Sequence, residues 1–329
     1  MAGKGKRMRP HTLTTPKPLI PIAGKPIVAR LVEEISNVCQ EKIDTIGFVL
    51  GAFGEAVEDT LRNVAQQIGA DVQFYYQQEA LGTAHAVRCA EALLSGKVII
   101  AFADTLFKGS FTLATAQEGI IWVKQVDNPS DFGVVKVDSS NIITDFVEKP
   151  ETFFTDLAII GIYYFKEGQK LQKAVHHLID KELKAGDEYQ LTNALAYMKD
   201  RGEQFAIQAV EEWLDCGNKE ATVNANRRFL EFIKADANLI AKTAQINNSV
   251  VIPPVYIGEK VVLRNTVLGP YVSVGNNSCI HDSRVRNSII QENNKISNVN
   301  LKNSMLGSHV DFIGKSADVS IGDYTSLVD

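Results

Sequence analysis

The residues with the clearest chemical potential stand at the start of the chain. Ala2-Gly3-Lys4-Gly5-Lys6-Arg7-Met8-Arg9-Pro10 sets small residues among cations, and Pro16-Lys17-Pro18-Leu19-Ile20-Pro21-Ile22-Ala23-Gly24-Lys25-Pro26 follows. Glycines let backbone N–H groups approach phosphate oxygens, and Arg and Lys neutralise the charge gathered there. The run is not a Walker A loop, because no Gly-Lys-Ser/Thr closes it, nor the dinucleotide fingerprint, which needs a third glycine where Met8 stands. A second feature is the apolar run 98–103, which ends at Asp104. A carboxylate at the carboxyl end of a strand is placed to hold Mg²⁺. A third is Gln77-Gln78-Glu79-Ala80-Leu81-Gly82-Thr83-Ala84-His85-Ala86. A glutamine amide pairs with a base edge, and a glycine beside a helix start exposes backbone to a ring; alone, the same run also reads as a plain strand-to-helix turn.

These groups sit in an ordinary globular composition. The chain has 329 residues, 45% hydrophobic and 22% charged, enough for two domains or one large one. No apolar run approaches the ~20 residues of a membrane span. Cys39, Cys89, Cys216 and Cys279 are far apart, which argues against a disulfide framework or thiolate zinc and for a reducing cytoplasm. The net charge of −5 conceals an asymmetry: seven cations precede the first acid, Glu33, and the remainder carries 27 basic against 39 acidic side chains. One basic segment on an acidic body fits a small polyanion and not a nucleic acid. A transit peptide is disfavoured by prolines 10, 16, 18, 21 and 26, half of the ten in the chain, since they forbid an amphipathic helix. Leu13, Leu19, Ile20 and Ile22 argue against a solvated tail.

The elements that must position these groups alternate. Strands are expected at 43–50, 72–76, 98–103, 120–126, 133–137, 142–147, 158–165 and 205–210, and helices at 27–39, 55–68, 83–94, 169–184, 191–201 and 219–233, from β-rich runs and from apolar spacings of three and four. Such alternation means an α/β fold with a mostly parallel sheet flanked by helices and ligands at the strands' carboxyl ends. After residue 235 the helical period vanishes. Val262, Leu268, Val274 and Ile280 fall on a six-residue period that Ile290 and Ile296 resume, which fits a short, left-handed parallel β-helix. Asn247, Asn248, Asn276, Asn277, Asn293 and Asn294 suit corners with left-handed backbone angles. The expected division is therefore 1–235 and 236–329, the flat faces of the β-helix implying a homo-oligomer.

The pair G-x-G-x-R-x-R-P and P-K-P-L-x-P-x-x-G-K-P resembles the signature of the sugar-1-phosphate nucleotidylyltransferases, and further motifs agree in order over roughly residues 1–235. The resemblance implies a Rossmann-like domain that joins a nucleoside triphosphate to a sugar 1-phosphate and releases pyrophosphate, with a hexapeptide-repeat tail like that of many long members. It implies that Ala2, Gly3, Gly5, Gln77, Gly82 and Thr83 bind the nucleotide, and that Arg7 and Lys17 neutralise the triphosphate. Asp104, with Ala103 in place of the usual glycine, pairs with Asp215 in Trp213-Leu214-Asp215-Cys216-Gly217-Asn218, and two hard oxygen ligands suit Mg²⁺ better than zinc. Gly133, Glu148, Lys149 and Gly161, together with Asp104, are placed on the sugar phosphate, Lys149 holding the nucleophile's phosphate. Asn193 stands where an acid is usual and takes no role; Tyr163-Tyr164-Phe165 is expected in the core.

The implied chemistry is one in-line displacement at the α-phosphorus, which needs positioning and charge stabilisation more than acid–base groups. Glucose 1-phosphate with dTTP or UTP is the favoured pairing. Alternatives are a non-catalytic sugar-nucleotide-binding regulatory subunit, and a bifunctional enzyme with an acetyltransferase tail that uses His281 or His309 as base. The signature normally follows a short apolar strand, whereas here Met1 directly precedes Ala2-Gly3. Either the true start lies upstream or another segment fills that place; the first is the expectation.

Overall fold

The computed structural model describes Gly3, residues 5–235 and residues 238–315. The described residues up to Ile20, with Lys25–Ala221, form one compact unit, and Pro21–Gly24, with the described residues from Thr222 onward, form another.

In the first unit the strands are β1 (Thr45–Leu50), β2 (Asp71–Tyr76), β3 (Val98–Ala101), β4 (Thr105–Lys108), β5 (Gly119–Gln125), β6 (Gly133–Val137), β7 (Ile143–Glu148), β8 (Leu157–Phe165), β9 (Phe205–Ala209) and β10 (Glu212–Asp215). Helices α1 (Ile27–Val38), α2 (Glu55–Gln67), α3 (Thr83–Cys89), α4 (Gly168–Asp180) and α5 (Leu191–Lys199) lie between them. The longest strand, β8, is buried over almost all of its length and organises a six-stranded mixed sheet in the order β9-β5-β8-β6-β7, with β3 also on β8. β8 runs antiparallel to β3 and β5, and β9 is parallel to β5, so β3, β5 and β9 share one direction. Helices α4 and α5 close one apolar cluster through Leu171, Val175, Leu178, Leu195 and Met198, which meet Ile121, Val123 and Phe205.

β1 and β2 form a separate parallel pair, in register from Thr45↔Asp71 to Leu50↔Tyr76, with α2 as the crossover. Glu55 and Glu58 lie in the first turn of α2, where negative charge is favourable. Gly69, at φ 71°, ends it: its N–H reaches Gln66 O and that of Ala70 reaches Ala65 O, the paired bonds of a Schellman stop. Val28, Val32, Phe48, Leu50, Val57 and Leu61 join α1, α2 and this strand pair.

The expected strands and helices are all present, with trimmed ends. Two differences bear on the site. The helix expected through residue 94 stops at Cys89 and tightens into a 3₁₀ turn at Glu91–Leu93, which brings Leu93 against Gly47 of β1, where a Cβ would lie 2.5 Å from Leu93 Cδ1. Strands β4 and β10, which the apolar pattern did not mark, pair antiparallel from Glu212↔Lys108 to Asp215↔Thr105.

The second unit holds α6 (Lys219–Phe232) from Thr222 on and a parallel β-solenoid. Three ladders run along the solenoid. One stacks Gln245–Asn247, Val262–Arg264, Cys279–His281, Lys295–Ser297 and Asp311–Ile313, and the other two stack four strands each. Leu263, Leu268, Val274, Ile280, Val285, Ile290 and Ile296 form its buried core. The expected six-residue period is corrected at its first member: Val262 is half-buried and Leu263 is fully buried. Rungs of 17 and then 16 residues fall short of three sixes, so corners absorb the difference. Of the expected corner asparagines, Asn248, Asn277 and Asn293 have positive φ. Asn294 is instead buried, its amide bonded to Gln291 O and Gly307 O. Asn248 donates to Asn265 and Asn265 to Asp282, each at 2.8 Å, so one corner is stitched from rung to rung. Among the described residues no helix is long and apolar enough to cross a membrane.

Truncating Leu263 to Ala should lower stability by about 2–5 kcal/mol, as for other buried leucines, while Val262→Ala should cost no more than about 1 kcal/mol. Urea unfolding followed by circular dichroism measures both, and equal losses would restore the strict six-residue register.

Candidate active site

The basic N-terminal run folds as a chain of three 3₁₀ turns, Lys6–Met8, His11–Leu13 and Lys17–Leu19. Met8 is buried and anchors the first, whereas Arg7 stays exposed. Gly5 adopts φ 54°, and a Cβ there would lie 3.1 Å from Thr12 Cγ2; the Thr12 hydroxyl donates to Gly5 O at 2.8 Å. A left-handed conformation under that closeness requires glycine. The prolines do not break a helix here but set the spacing of the turns. The second glycine-bearing end, Gly82, has φ 106° and backs onto the Tyr189 backbone, with a Cβ position 2.6 Å from Tyr189 O.

Lys17 is 9% exposed, and its Nζ lies 2.8 Å from Asp104 Oδ2. The pairing of β4 with β10 sets Asp215 opposite Thr105, and Cys216 N–H donates to Asp104 O at 3.1 Å. The two carboxylates are thereby neighbours. Burial raises the Asp215 pKa above its ordinary value and the charge of Asp104 adds to that, while Lys17, Arg7 and the Gly217 N–H act in the opposite direction. Gly217 folds over the carboxylate so closely that a Cβ would lie 2.6 Å from Asp215 Oδ2. The Trp213 indole donates to Thr105 Oγ1 at 2.7 Å, fixing the turn from which Asp104 projects.

Gly3, Gly5, Arg7, Lys17, Gln77, Gly82, Thr83, Asp104 and Gly217 all line one cavity of about 1160 Å³. Ala2 lies outside the described residues. Gln77 is buried, and its amide nitrogen donates to Gly82 O at 3.0 Å and lies 3.0 Å from His85 Nδ1. Burial lowers the His85 pKa, with Arg88 adding to the effect and Glu79 opposing it; because an amide NH₂ only donates, Nδ1 is the acceptor in this contact. Both Gln77 amide hydrogens are thus engaged, leaving Oε1 as an acceptor. The Thr83 hydroxyl accepts from Leu191 N–H at 2.8 Å and contacts Gln190, tying α3 to the start of α5.

A second group gathers where β6 meets β7. Gly133 faces Glu148 in the ladder, and a Cβ at 133 would lie 2.9 Å from Glu148 Oε2. That oxygen accepts from Thr192 Oγ1 at 2.6 Å. Lys149 is exposed, holds φ 45° and donates its N–H to Phe132 O at 3.1 Å, a sparsely populated conformation for a residue with a side chain. Phe132 packs edge-on against Trp213, ring centroids 4.7 Å apart, so one aromatic contact joins this group to the carboxylate pair. Gly161 makes the bulge in β8 with φ 83°; its carbonyl accepts from Phe102 N–H, and Phe102 fills the space a side chain would need. Tyr163, Tyr164 and Phe165 are buried core, as expected.

Sequence reasoning missed Thr192, Gly217 and the Trp213–Thr105 bond. Thr192 stands beside Asn193 with no pattern of its own, and its hydroxyl meets Glu148 only once α5 packs on β7. Gly217 stands within Trp213-Leu214-Asp215-Cys216-Gly217-Asn218, but only the fold brings it over the carboxylate.

The donor set also constrains any metal. Among the described residues no three His, Cys, Asp or Glu side chains converge as a cage. Two neighbouring carboxylates fit a hard cation that takes its other ligands from phosphate oxygens and water.

A family model described as Nucleotidyl transferase matches residues 1–231. Bifunctional protein GlmU of Methanococcus maripaludis is 29% identical, the match covering 94% of this chain and 77% of that protein. Glucose-1-phosphate thymidylyltransferase of Streptomyces antibioticus is 27% identical over 94% of this chain and 90% of its own. Among solved structures, apo UDP-glucose pyrophosphorylase superposes with a TM-score of 0.59 at 23% identity, over 70% of this chain and 96% of that one, a likeness of fold. With a basic glycine-bearing loop, a carboxylate pair and a large cavity in one unit, and with that match over its first 231 residues, the chain belongs to the nucleotidyl transferase family.

Proposed function

We propose that the site joins a nucleoside triphosphate to a sugar 1-phosphate and releases pyrophosphate, with dTTP or UTP and glucose 1-phosphate as the favoured substrates. The observation that carries this reading is the meeting of Lys17, Asp104 and Asp215, with Lys17 and Asp104 lining the cavity that Gly3, Gly5, Arg7, Gln77 and Gly82 also line. The relative named glucose-1-phosphate thymidylyltransferase supports the substrate class.

Backbone N–H groups around Gly3 and Gly5 cradle the triphosphate, and Arg7 and Lys17 neutralise it and the charge that grows on the leaving pyrophosphate. Gln77 Oε1, the one open group of that amide, accepts from N3–H of uracil or thymine. Cytosine presents an acceptor at N3 and is disfavoured there. Glu148, oriented by Thr192, accepts from sugar hydroxyls, and Lys149 holds the phosphate whose oxygen attacks the α-phosphorus. Attack and departure are in line, so positioning supplies most of the rate. Asp104 and Asp215 would hold Mg²⁺, which when bound screens the phosphate charges. A second reading, an acyltransferase tail with His281 or His309 as base, is favoured by the relative named as bifunctional, and its test is consumption of acetyl-CoA.

The reading is tested by pyrophosphate release across five nucleoside triphosphates and several sugar 1-phosphates. Release with a uridine or thymidine triphosphate is expected, and silence across the matrix with nucleotide-sugar binding intact would favour the regulatory-subunit alternative. Arg7→Ala should lower kcat by about 10²–10³-fold, as loss of a charge-stabilising donor does, with Tm unchanged because the side chain is exposed; full turnover would remove Arg7 from the mechanism. Thr192→Val should raise KM for the sugar 1-phosphate about tenfold, the loss of one charge-assisted bond, and leave KM for the nucleotide alone. Equal effects on both would show that Thr192 acts on the fold and not on the sugar side.

A further inference from the structure

Four residues of the early sequence, Pro21–Gly24, group with the residues from Thr222 onward, although Ile20 and Lys25 on either side of them belong to the first unit. The chain reverses there at Ala23-Gly24, and both residues are left-handed, Ala23 at φ 48° and Gly24 at φ 83°, as a tight two-residue turn requires. Glycine takes that conformation freely. Alanine does not, and a residue with a Cβ stays there only when its surroundings hold it.

What holds Ala23 is a side chain 203 residues further along. Asn226 lies on α6 and is fully buried. Its Oδ1 accepts from Ala23 N–H at 2.9 Å, and the Ser273 hydroxyl donates to the same oxygen at 2.7 Å. Two donors on one atom fix the amide's orientation. Its Nδ2 has no hydrogen-bond partner among the described residues, so Asn226 serves the turn through its oxygen alone. Tyr256, which faces Ser273 in the adjoining rung of the solenoid, sets its ring so close over Gly24 that a Cβ there would overlap it.

The turn is covalently continuous with the candidate site. Lys17, whose Nζ lies 2.8 Å from Asp104 Oδ2, opens the 3₁₀ turn Lys17–Leu19. Leu19 N–H donates to Pro16 O at 2.8 Å, Ile20 N–H to Lys17 O at 3.1 Å and Ile27 N–H to Ile20 O at 3.0 Å. Five residues separate Lys17 from Ala23, and the rings of Pro18 and Pro21 fix two of their φ angles. Ile20 and Ile22 are fully buried. A connection this short, stiff and packed passes on a displacement at its end instead of absorbing it.

We propose that Asn226 is a positioning residue for Lys17: by accepting the Ala23 N–H it holds the turn in its left-handed form, and through residues 18–22 it sets where the Lys17 ammonium stands. The Ala23 N–H is buried with its residue, 2% exposed, so water does not replace a lost acceptor. Asn226 touches no reacting group and acts only through the backbone. The kinetic arm of the inference rests on the reaction proposed above; its structural arm, the hold on the Lys17 turn, does not.

The test compares, in the full chain, Asn226→Leu, which removes the acceptor at similar size, with Asn226→Asp, which keeps an oxygen in its place. Amide hydrogen exchange at Leu19 and Ile20 reads the Lys17 turn without catalysis, and pyrophosphate release reads the site. Asn226→Leu should speed exchange at those two amides about tenfold or more. It should lower kcat/KM for the nucleoside triphosphate about 10–100-fold and leave KM for the sugar 1-phosphate alone, whereas Asn226→Asp stays close to the unaltered chain in both readouts. Leu263→Ala, which weakens the solenoid core in another ladder, should move neither. Tyr256→Ala, which loosens the turn from its other side, should act as Asn226→Leu does and carries the comparison if that variant fails to fold. The inference is overturned if exchange at Leu19 and Ile20 is unchanged in Asn226→Leu or, should that variant not fold, in Tyr256→Ala. It is equally overturned if Asn226→Asp behaves as Asn226→Leu does, or if Leu263→Ala reproduces the change. Absence of pyrophosphate release from the unaltered chain would sink the reaction and leave exchange at Leu19 and Ile20 to decide this inference.

Discussion

Two carboxylates of like charge are held next to each other, and the rest of the site follows from how that is achieved. Asp104 and Asp215 come from distant parts of the sequence and meet because β4 pairs with β10. Side-by-side acids repel, and burial raises the cost for Asp215. Lys17 offsets this at 2.8 Å from Asp104, which places the turn at Lys17–Leu19, and with it the whole basic loop, against the carboxylates. The basic loop and the two acids are thus positioned by one electrostatic requirement.

The same strand pair links the two ends of the site. The Trp213 indole binds Thr105 on one side and packs on Phe132 on the other, next to Gly133 and Glu148. An aromatic edge contact and one neutral hydrogen bond are each worth about 1 kcal/mol. Their value here is geometric: they keep Gly133 and Glu148 in register with the carboxylates.

Much of this was legible in the sequence. The spacing of Gly5, Arg7 and Lys17 marked the basic loop, and β-rich runs leading to Asp104 and Glu148 marked strand ends, because runs of β-branched and aromatic residues bounded by polar ones signal a strand even where it is only partly buried. What was not legible depends on tertiary pairing. β4 and β10 are four residues each and too short to carry a period, so the adjacency of Asp104 to Asp215 came from resemblance and not from pattern. Gln77 was read as a base contact, but the commitment of its nitrogen to Gly82 and His85 appears only once the turn is folded. In the solenoid the inward residue shifted from Val262 to Leu263, since aliphatic residues at both positions hide a one-residue change of register.

The central claim is that Asp104 and Asp215 act together as the cation-binding centre for a triphosphate. Calorimetric titration of Mg²⁺ into the chain, in the presence of a non-hydrolysable nucleoside triphosphate analogue, tests it most directly. The account predicts one saturable Mg²⁺ event that disappears in Asp215→Asn while the variant keeps its thermal transition. Undiminished binding in that variant would contradict it.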